Sequence, residues 1–509
     1  MTTLYVDYNT GNDTTGDGSQ STPYKTYAKA YTILGGNGNH TIYLKRGTIE
    51  PIASSLSMRS GSSATARSTL DAWGTGENPI LQASATNSYG VMWHLDDSAY
   101  KTIKNITFDA NKLAKFAGQI YNYTSEITDI VHENCVFKTT SNVSAGDALN
   151  IQSDAGGYVL ISGIIFRNCK FYNASRHGAY VNGNCNVLYE DCEAYNAGLY
   201  DTGGGHGFSS FAAVVTSVTS GWTNTSGTIY SRSATGVFNV IKTTATALAL
   251  KKNTATPTTP ASGEWGENSG TLYINIGADP AGVTIKYSTY APTVRYERCT
   301  SHHNYSVDGI EGSGFQADDH TASFTANRCI AYSNGGPGFF LNVTNNAVLT
   351  NCVAYNNDNF GIAGQGVAGV SVINCTSINN CLANRSGYDG DMKWQIGCQN
   401  VTVKNTVVKK GTSSVATASI RFSSDSETGA TLTDVVVFGA AISATGTVTQ
   451  TRVQTVNPLI SDIGYIASSS SPLIHTGSFI KYSSDLAGVT WYNPPSMGAY
   501  EYVNVRGTR

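Results

Sequence analysis

The feature that most constrains this fold is a repeat centred on cysteine. In each copy, β-branched or aromatic residues lead to Asn or another polar residue, then to Cys, then to a short strand-like run that ends in a polar residue. The repeating cysteines are Cys135, Cys169, Cys192, Cys299, Cys329, Cys352 and Cys375, and Asn405 takes the same place in a further copy. The intervals from Cys169 to Cys192, from Cys329 to Cys352 and from Cys352 to Cys375 are equal. The other intervals are longer, above all that from Cys192 to Cys299, and carry insertions.

The equal intervals define a period of about 23 residues, which with short strands is too short for a propeller blade and lacks a leucine-rich signature. It fits one coil of a parallel β-helix, in which equivalent residues of neighbouring coils stack about 4.8 Å apart. The sequence therefore predicts an all-β fold, a right-handed parallel β-helix, with the repeating cysteines in a buried column of free thiols. No Cys-x-x-Cys pair occurs, which argues against a zinc site.

Charge and hydropathy narrow the partners and the location. The net charge of −3 provides no long-range field that would recruit nucleic acid or an anionic membrane. No run approaches the roughly 20 apolar residues that a membrane helix needs. The opening residues, Met1 to Val6, lack the basic and apolar regions of a secretory signal. We therefore expect an extracellular or virion-associated protein that leaves the cell by another route, or one whose signal has been removed.

A second strand follows each cysteine after a short turn and begins after Gly. Its strict alternation predicts one buried face and one wet face, with the residue after Gly pointing inward. The wet face would suit sugars, because amides hydrogen-bond hydroxyl groups and aromatic rings pack on apolar sugar faces. The candidate substrate-binding residues are Tyr180, Asn182, Gln316, Phe340, Asn342, Gln365, Lys393 and Arg421.

The ends and one long insertion interrupt the repeat. The predicted segments are an N-terminal cap with first coils (1–100), coils (101–211), an inserted antiparallel β subdomain (212–292), coils (293–455) and C-terminal coils with a cap (456–509). A short amphipathic capping helix is predicted at Pro23–Ala30, because an open stack exposes apolar surface and strand edges.

Several of these segments resemble parts of the pectate-lyase-like right-handed parallel β-helix superfamily. The N-terminal cap, the Gly263–Glu267 and Thr271–Ile276 pair, and the endings Ser471–Ile474 and Met497–Glu501 carry the likeness. The resemblance implies the fold more strongly than any activity. It also implies a polysaccharide-degrading enzyme or a phage tailspike depolymerase, and for a tailspike we would expect a homotrimer.

Three coils have an enlarged turn before the wet strand. The enlarged steps run from Cys192 to Gly207, from Cys299 to Gly314 and from Cys375 to Gly390, whereas a regular coil steps from Cys169 to Gly178. These turns would form a wall over the wet face, although another register would move the extra residues to the far side.

A wall of this kind would place acids beside a bound glycan. Hydrolysis of a glycosidic bond needs two carboxylates, about 5–5.5 Å apart for retention or 6.5–9.5 Å for inversion. One acid from 308–319 would pair with Asp201, Asp389 or Asp391 of another coil. The candidate catalytic residues are Asp308, Glu311, Asp318, Asp389, Asp391 and His206.

Other roles for these side chains remain open. Asp in Asp-Gly turns often only bonds its own backbone. The adjacent Asp318 and Asp319 would also suit Ca²⁺, although no cofactor is required by the sequence. His177 and His206 precede Gly on consecutive coils, where they would stack, and either would serve as a base near neutral pH.

Three functions follow from these residues. The first is a glycoside hydrolase with paired carboxylates. The second is a polysaccharide lyase that acts on a uronate-containing glycan by β-elimination, with Lys393, Arg421 or a histidine as the base. The third is a non-catalytic glycan-binding or structural spike, in which substitution of the acids leaves glycan turnover at background.

Overall fold

The structure, a computed structural model, describes most of the chain. The described residues are 1–86, 90–140, 146–153, 160–200, 204–212, 214–235, 237, 239–243, 247–306, 312–318, 321–387, 389–423, 428–478 and 484–502. Four acids considered from the sequence, Asp201, Asp308, Glu311 and Asp319, lie outside these residues.

The chain divides into two compact units. The first comprises Met1–Ser209 and His303–Gly312, and the second comprises Ser210–His302 and Ser313–Arg509. Both are built from stacked parallel strands in register, so the predicted right-handed parallel β-helix is confirmed.

The first unit opens with a cap and continues in coils. Its one helix among the described residues, Tyr27–Ile33, begins where the Thr26 side chain accepts a hydrogen bond from the Lys29 backbone N–H. The strands of its larger sheet are Thr2–Val6, His40–Lys45, Ile49–Ile52, Ser68–Trp73, Ile80–Ala83, Ala99–Lys104, Thr107–Asp109, Ile127–Glu133, Val136–Lys138, Ile161–Arg167, Lys170–Tyr172, Cys185–Glu190 and Glu193–Tyr195. The strands of its other face are Val91–Asp96, Phe116–Tyr121, Leu149–Gln152 and Ala179–Asn182, and Phe208–Phe211 contains the division between the units.

The second unit has the same two kinds of strand. Its larger sheet contains Thr293–Glu297, Thr300–His302, Ser323–Asn327, Ile330–Tyr332, Val348–Thr350, Val353–Tyr355, Ser371–Ile373, Thr376–Ile378, Thr402–Lys409, Ala430–Phe438 and Val448–Thr455. Its other face, which we call the second-unit face, contains Phe315–Ala317, Phe339–Asn342, Ile362–Gln365, Gly390–Gln395, Ala418–Phe422 and Ile442–Ala444.

The cysteines form internal columns in each unit. All ten are buried, free thiols. In the first unit, Val136 pairs with Lys170 and Lys170 with Glu193, which stacks the preceding Cys135, Cys169 and Cys192. In the second unit, the pairing from Thr300 through Ile330 and Val353 to Thr376 stacks Cys299, Cys329, Cys352 and Cys375.

The residue before each repeating cysteine turns the corner between two strands. Asn134, Asn168, Asn351 and Asn374 have φ values of 54°, 49°, 54° and 52°. Asn tolerates this left-handed conformation better than most residues, which explains its recurrence before Cys.

The inserted segment forms two small sheets in the second unit. Its strands are Val214–Val218, Thr223–Ser226, Ile229–Ser233, Asn239–Thr243, Ala247–Ala249, Lys251–Lys252, Glu264–Asn268, Thr271–Asn275 and Thr284–Tyr290. All their pairings are antiparallel except that of Lys251–Lys252 with Glu264–Asn268. The buried Trp265 and Leu272 belong to a core that the two sheets share.

This subdomain contacts the coils of its own unit. The Ala249 N–H donates to the Gly366 carbonyl at 2.9 Å, and the Asn345 side chain donates to the Leu250 carbonyl at 2.9 Å. Ile241 and Ala249 also pack with Val343 and Ala368. Among the described residues, no helix has the length and apolar character needed to cross a membrane.

Candidate functional site

Two rows of side chains point outward from the second-unit face. In the first row, Gln316 pairs with Phe340, Phe340 with Ala363, Ala363 with Lys393, and Lys393 with Arg421. Two residues further along each strand, the second row runs through Asp318, Asn342, Gln365 and Gln395. In the structure, the predicted binding residues of this unit therefore lie on the outward side of their strands.

The second row is a polar ladder that contains two hydrogen-bonded pairs. Asn342 Nδ2 donates to Asp318 Oδ1 at 2.6 Å, and Gln395 Nε2 donates to Gln365 Oε1 at 3.1 Å. Each contact orients the amide that donates it, and Asn342, Gln365 and Gln395 each keep part of their surface in solvent. An ordered row of donors and acceptors suits a chain of sugar hydroxyl groups.

Asp318 lies at one end of this ladder. Its Oδ2 accepts a hydrogen bond from Gln316 Nε2 at 3.0 Å, and its backbone N–H donates to the Ser210 carbonyl at 2.9 Å. Together with the bond from Asn342, these contacts hold the carboxylate in one orientation beside the outward rows.

A charged cluster formed by Asp389, Lys393 and Arg421 occupies the first row near the enlarged turn. Asp389 Oδ1 lies 2.9 Å from Lys393 Nζ, and Asp389 Oδ2 lies 3.5 Å from Arg421 Nε. Lys393 Nζ also donates to the Gly387 carbonyl at 2.7 Å and lies 5.2 Å from the centre of the Phe360 ring. The cluster therefore holds two cations against one carboxylate.

The exposure of the cluster differs from residue to residue. The Lys393 side chain is only 8% exposed, whereas those of Asp389 and Arg421 are 28% and 30% exposed. Beside it, Phe340 packs on the buried residues Phe360, Ala363, Cys381 and Ala416. A ligand on this surface would meet the carboxylate and the guanidinium first, with an apolar surface next to them.

The sequence placed Asp391 among the catalytic candidates, and the structure corrects that placement. Its side chain points inward and is 0% exposed. It accepts hydrogen bonds from the Asn380 N–H at 2.9 Å, from Asn380 Nδ2 at 2.8 Å and from the Ser377 hydroxyl. Asp391 thus ends a buried ladder in which Asn334 donates to Asn357 and Asn357 donates to Asn380. Burial raises the pKa of Asp391 to about 6. Asp391 therefore belongs to the buried ladder and not to the outward surface.

Asp318 and Asp389 do not lie on neighbouring coils. The strands Phe339–Asn342 and Ile362–Gln365 separate the strand before Asp318 from the strand after Asp389. Three strand spacings amount to about 14 Å, which exceeds the separation of about 9.5 Å that a glycosidase pair allows. Each acid would therefore need another partner.

Sequence reasoning missed one acid, Asp358, because it occupies a turn of regular length. It precedes the strand Ile362–Gln365, which pairs directly with Gly390–Gln395, so Asp358 and Asp389 belong to neighbouring coils. The Ala383 N–H donates to the Asp358 carbonyl at 3.1 Å, which holds this turn beneath the enlarged one. Burial raises the pKa of Asp358, and nearby Arg385 opposes that rise.

In the first unit, His206 stacks on His177 as the spacing suggested. The two rings lie 5.0 Å apart with an interplanar angle of 13°. Both residues are buried, at 5% and 6% exposure. Burial, with Arg176 and His206 nearby, holds the pKa of His177 well below its usual range. Neither imidazole reaches solvent freely, so their role as a base remains a prediction.

Tyr180 and Asn182 also belong to this outward face of the first unit. The Tyr180 ring stacks on His177 at 5.0 Å, and the Arg176 guanidinium lies 4.7 Å from its centre. Arg176 in turn donates two hydrogen bonds to buried Asp147, at 2.9 and 2.7 Å. The Tyr180 ring is thus packed against His177 and Arg176, which the sequence did not indicate. Asn182 lies in register with Gln152 and Tyr121 of the two preceding strands.

The proposed calcium site stays a prediction, because Asp319 lies outside the described residues. Within the part of the chain that the structure describes, no group of three or more His, Cys, Asp or Glu side chains is placed to hold a metal ion.

Comparisons with known proteins match one family to part of this chain. Residues 279–457 match the family described as "Right handed beta helix region". A search of curated protein sequences finds no significant match. Among solved structures, pectate lyase Pel9A is similar with a TM-score of 0.49 at 14% identity, covering 98% of this chain and 96% of that one.

Two further structures are similar at lower scores. Tailspike protein 3 of bacteriophage CBA120 has a TM-score of 0.43 at 12% identity, covering 96% of this chain and 67% of that one. The GH136 lacto-N-biosidase of Eubacterium ramulus has a TM-score of 0.41 at 10% identity, covering 89% and 68%. The family match and the strand topology confirm the predicted fold, and the activity has to be argued from this chain's own residues.

Proposed function

We propose that this protein is a polysaccharide-degrading enzyme that binds an extended glycan along the second-unit face. The observation that carries the proposal is the polar row of Asp318, Asn342, Gln365 and Gln395, which contains two hydrogen-bonded pairs, beside the charged cluster of Asp389, Lys393 and Arg421. Such a surface presents oriented donors and acceptors along the strand-stacking direction, together with a partly exposed carboxylate at which chemistry would occur.

The reaction we favour is hydrolysis with paired carboxylates. One acid protonates the leaving oxygen of the glycosidic bond, and the other acts as nucleophile or activates water. Asp358 suits the acid, because its burial favours the protonated form. Asp389 suits the second role, because Lys393 and Arg421 offset its negative charge. For Asp318, the partner that remains from the sequence prediction is Asp201 of another coil, which lies outside the described residues.

The proposal is tested with a panel of capsular and plant polysaccharides, with products sized and new reducing ends counted. We expect Asp389→Asn and Asp358→Asn each to lower the rate at least 100-fold without unfolding the protein. The exposed Asp462→Asn is the matched control and should keep the wild-type rate. If only Asp318→Asn abolishes cleavage, the active pair lies at that end of the ladder. If wild-type protein and all variants release products at the same background rate, the proposed cleavage activity is refuted.

Elimination is the second candidate, and the two cations around Asp389 favour it. Lys393 and Arg421 would offset the carboxylate of a uronate, as β-elimination requires. A lyase leaves an unsaturated uronate that absorbs ultraviolet light, whereas a hydrolase leaves a new reducing end without that absorbance. Reading absorbance and reducing ends on the same digest therefore separates the two reactions.

A further inference from the structure

The first unit contains an aromatic surface that the proposed cleavage site does not use. Tyr123 follows the strand Phe116–Tyr121 in a short turn, and its side chain is 54% exposed. The Tyr121 ring stands edge-on to it at 4.6 Å, and the His94 ring lies 6.2 Å away at 75°. We call Tyr123, Tyr121, His94, Asp96 and Gln152 the first-unit platform.

The backbone under Tyr123 is held firmly by Asp97. Asp97 Oδ1 accepts hydrogen bonds from the N–H groups of Tyr123, Thr124 and Ser125 at 3.0, 3.2 and 3.0 Å. Its Oδ2 accepts a further bond from the Thr124 hydroxyl at 2.9 Å. An isolated exposed tyrosine needs no explanation, but a ring on a turn fixed by four hydrogen bonds is presented in one place. Binding to such a ring loses little conformational entropy.

Polar groups adjoin the ring surface in register. Asp96 pairs with Tyr121 on the next strand, and Tyr121 pairs with Gln152 on the strand after that. These residues place a carboxylate and an amide on either side of the Tyr121 ring, pointing to the same outward side. Aromatic rings accept the apolar C–H face of a sugar, while the amide and the carboxylate bond its hydroxyl groups.

The charge of the surface selects among sugars. The acids beside the rings are Asp96, which is exposed, and Asp97, and they repel a second carboxylate. The cluster at Asp389 differs, because it contains two cations. We propose that the first-unit platform is a saccharide-binding subsite for a neutral sugar residue, with Tyr123 as its stacking surface. The proposal rests on the proposed function only in taking a saccharide as the ligand, because none of the residues of the subsite belongs to the proposed cleavage site.

The test is affinity electrophoresis in native gels that contain a neutral polysaccharide (xylan, galactomannan or mixed-linkage β-glucan) or an acidic one (polygalacturonate or alginate). We expect Tyr123→Ala to weaken retardation in at least one neutral gel fivefold or more. Tyr123→Phe keeps the ring and should stay within twofold of wild type. Tyr492→Ala removes a ring of equal exposure, 54%, from the C-terminal segment and is the matched control. Circular dichroism confirms that each variant is folded.

The outcomes separate this subsite from the proposed function. If wild-type protein is retarded and Tyr123→Ala is retarded equally, the subsite is refuted while the proposed function stands. If Tyr123→Ala loses retardation only in acidic gels, the preference for neutral sugars is wrong. If wild-type protein is retarded by no polysaccharide, both proposals fail. Retardation that depends on Tyr123 without product release would support the subsite and contradict the cleavage activity.

Discussion

Asp391→Asn separates a structural acid from a catalytic one through the pH dependence of stability. The pKa of Asp391 is raised from 3.8 to about 6 by burial, despite three hydrogen bonds to its oxygens. A carboxyl group with a raised pKa stabilises the folded state fully below its unfolded value, and this contribution disappears as pH rises through the folded value. For Asp391 the window therefore runs from about pH 4 to about pH 6.

The magnitude follows from the size of this shift. Each pKa unit corresponds to about 1.36 kcal/mol, so a shift of about two units changes the free energy of unfolding by about 3 kcal/mol across the window. Asparagine does not titrate, so the variant lacks this pH-dependent contribution. Any other effect of the substitution on the free energy of unfolding is the same at every pH. The free energy of unfolding of wild type minus that of Asp391→Asn should therefore fall by about 3 kcal/mol between pH 4 and pH 8.

Chemical denaturation at several pH values, approached from both the folded and the unfolded side, measures this difference. The exposed Asp462→Asn accounts for the general effect of losing a carboxylate. A difference that stays constant or rises with pH would refute the burial of an ionisable Asp391. In the cleavage assay, Asp391→Asn should keep substantial activity, whereas Asp389→Asn should not.

Three further substitutions test other parts of the structure. Lys101 is buried and donates to the Met58 carbonyl, and burial lowers its pKa to about 7. Its contribution to stability is therefore full above about pH 10.5, the pKa of an unburied lysine, and is lost as pH falls through about 7. Lys101→Met should therefore raise stability most below pH 7, by up to about 5 kcal/mol, as measured by denaturation. Asn351→Ala places alanine at a φ of 54° and removes side-chain bonds to Asn327 and Ser484, so we expect a loss of about 2 kcal/mol, with Asn351→Gly milder. Lys393→Met removes the closer cation from Asp389 and should lower turnover at least tenfold, and an unchanged rate would show that the ion pair has no part in the reaction.

The fold was predictable because its defining signal is periodic. A residue that recurs at a constant interval specifies which side chains stack, and the columns of Cys329, Cys352 and Cys375 follow from that interval alone. The Asn before Cys is also readable from the sequence, because the positive φ at the corner is a requirement on that single residue. Outward positions such as Asn342 and Gln365 follow from alternation within single strands.

The parts of the site that the sequence did not reveal depend on contacts between coils. Asp97 fixes the turn of Tyr123 from the preceding coil, and nothing in either segment alone indicates the pairing. Asp358 lies in a turn of ordinary length, and the neighbouring Arg385 comes from the enlarged turn of the next coil. Insertions of irregular length remove the simple relation between sequence distance and position that made the cysteine columns readable.

The pair Asp389 and Asp391 shows how the position of an acid in a strand determines its role on this fold. The two acids flank Gly390 and look equivalent in the sequence. Side chains alternate between the faces of a strand, but Asp389 precedes the strand, at the end of the enlarged turn, where alternation does not yet apply. Its carboxylate therefore reaches Lys393 and Arg421 on the outward side. Asp391 lies opposite Gly361 of the preceding coil, whose N–H donates to the Asp391 carbonyl at 2.8 Å. At this position the side chain is directed toward Ser377 and Asn380, where the asparagine ladder needs an acceptor at its end. Without a carboxylate at position 391 the last donors of the asparagine ladder would lose their acceptor, and without one at position 389 Lys393 and Arg421 would lose their shared anion. The register of this strand therefore determines both the stability of the coil and the availability of the outward carboxylate.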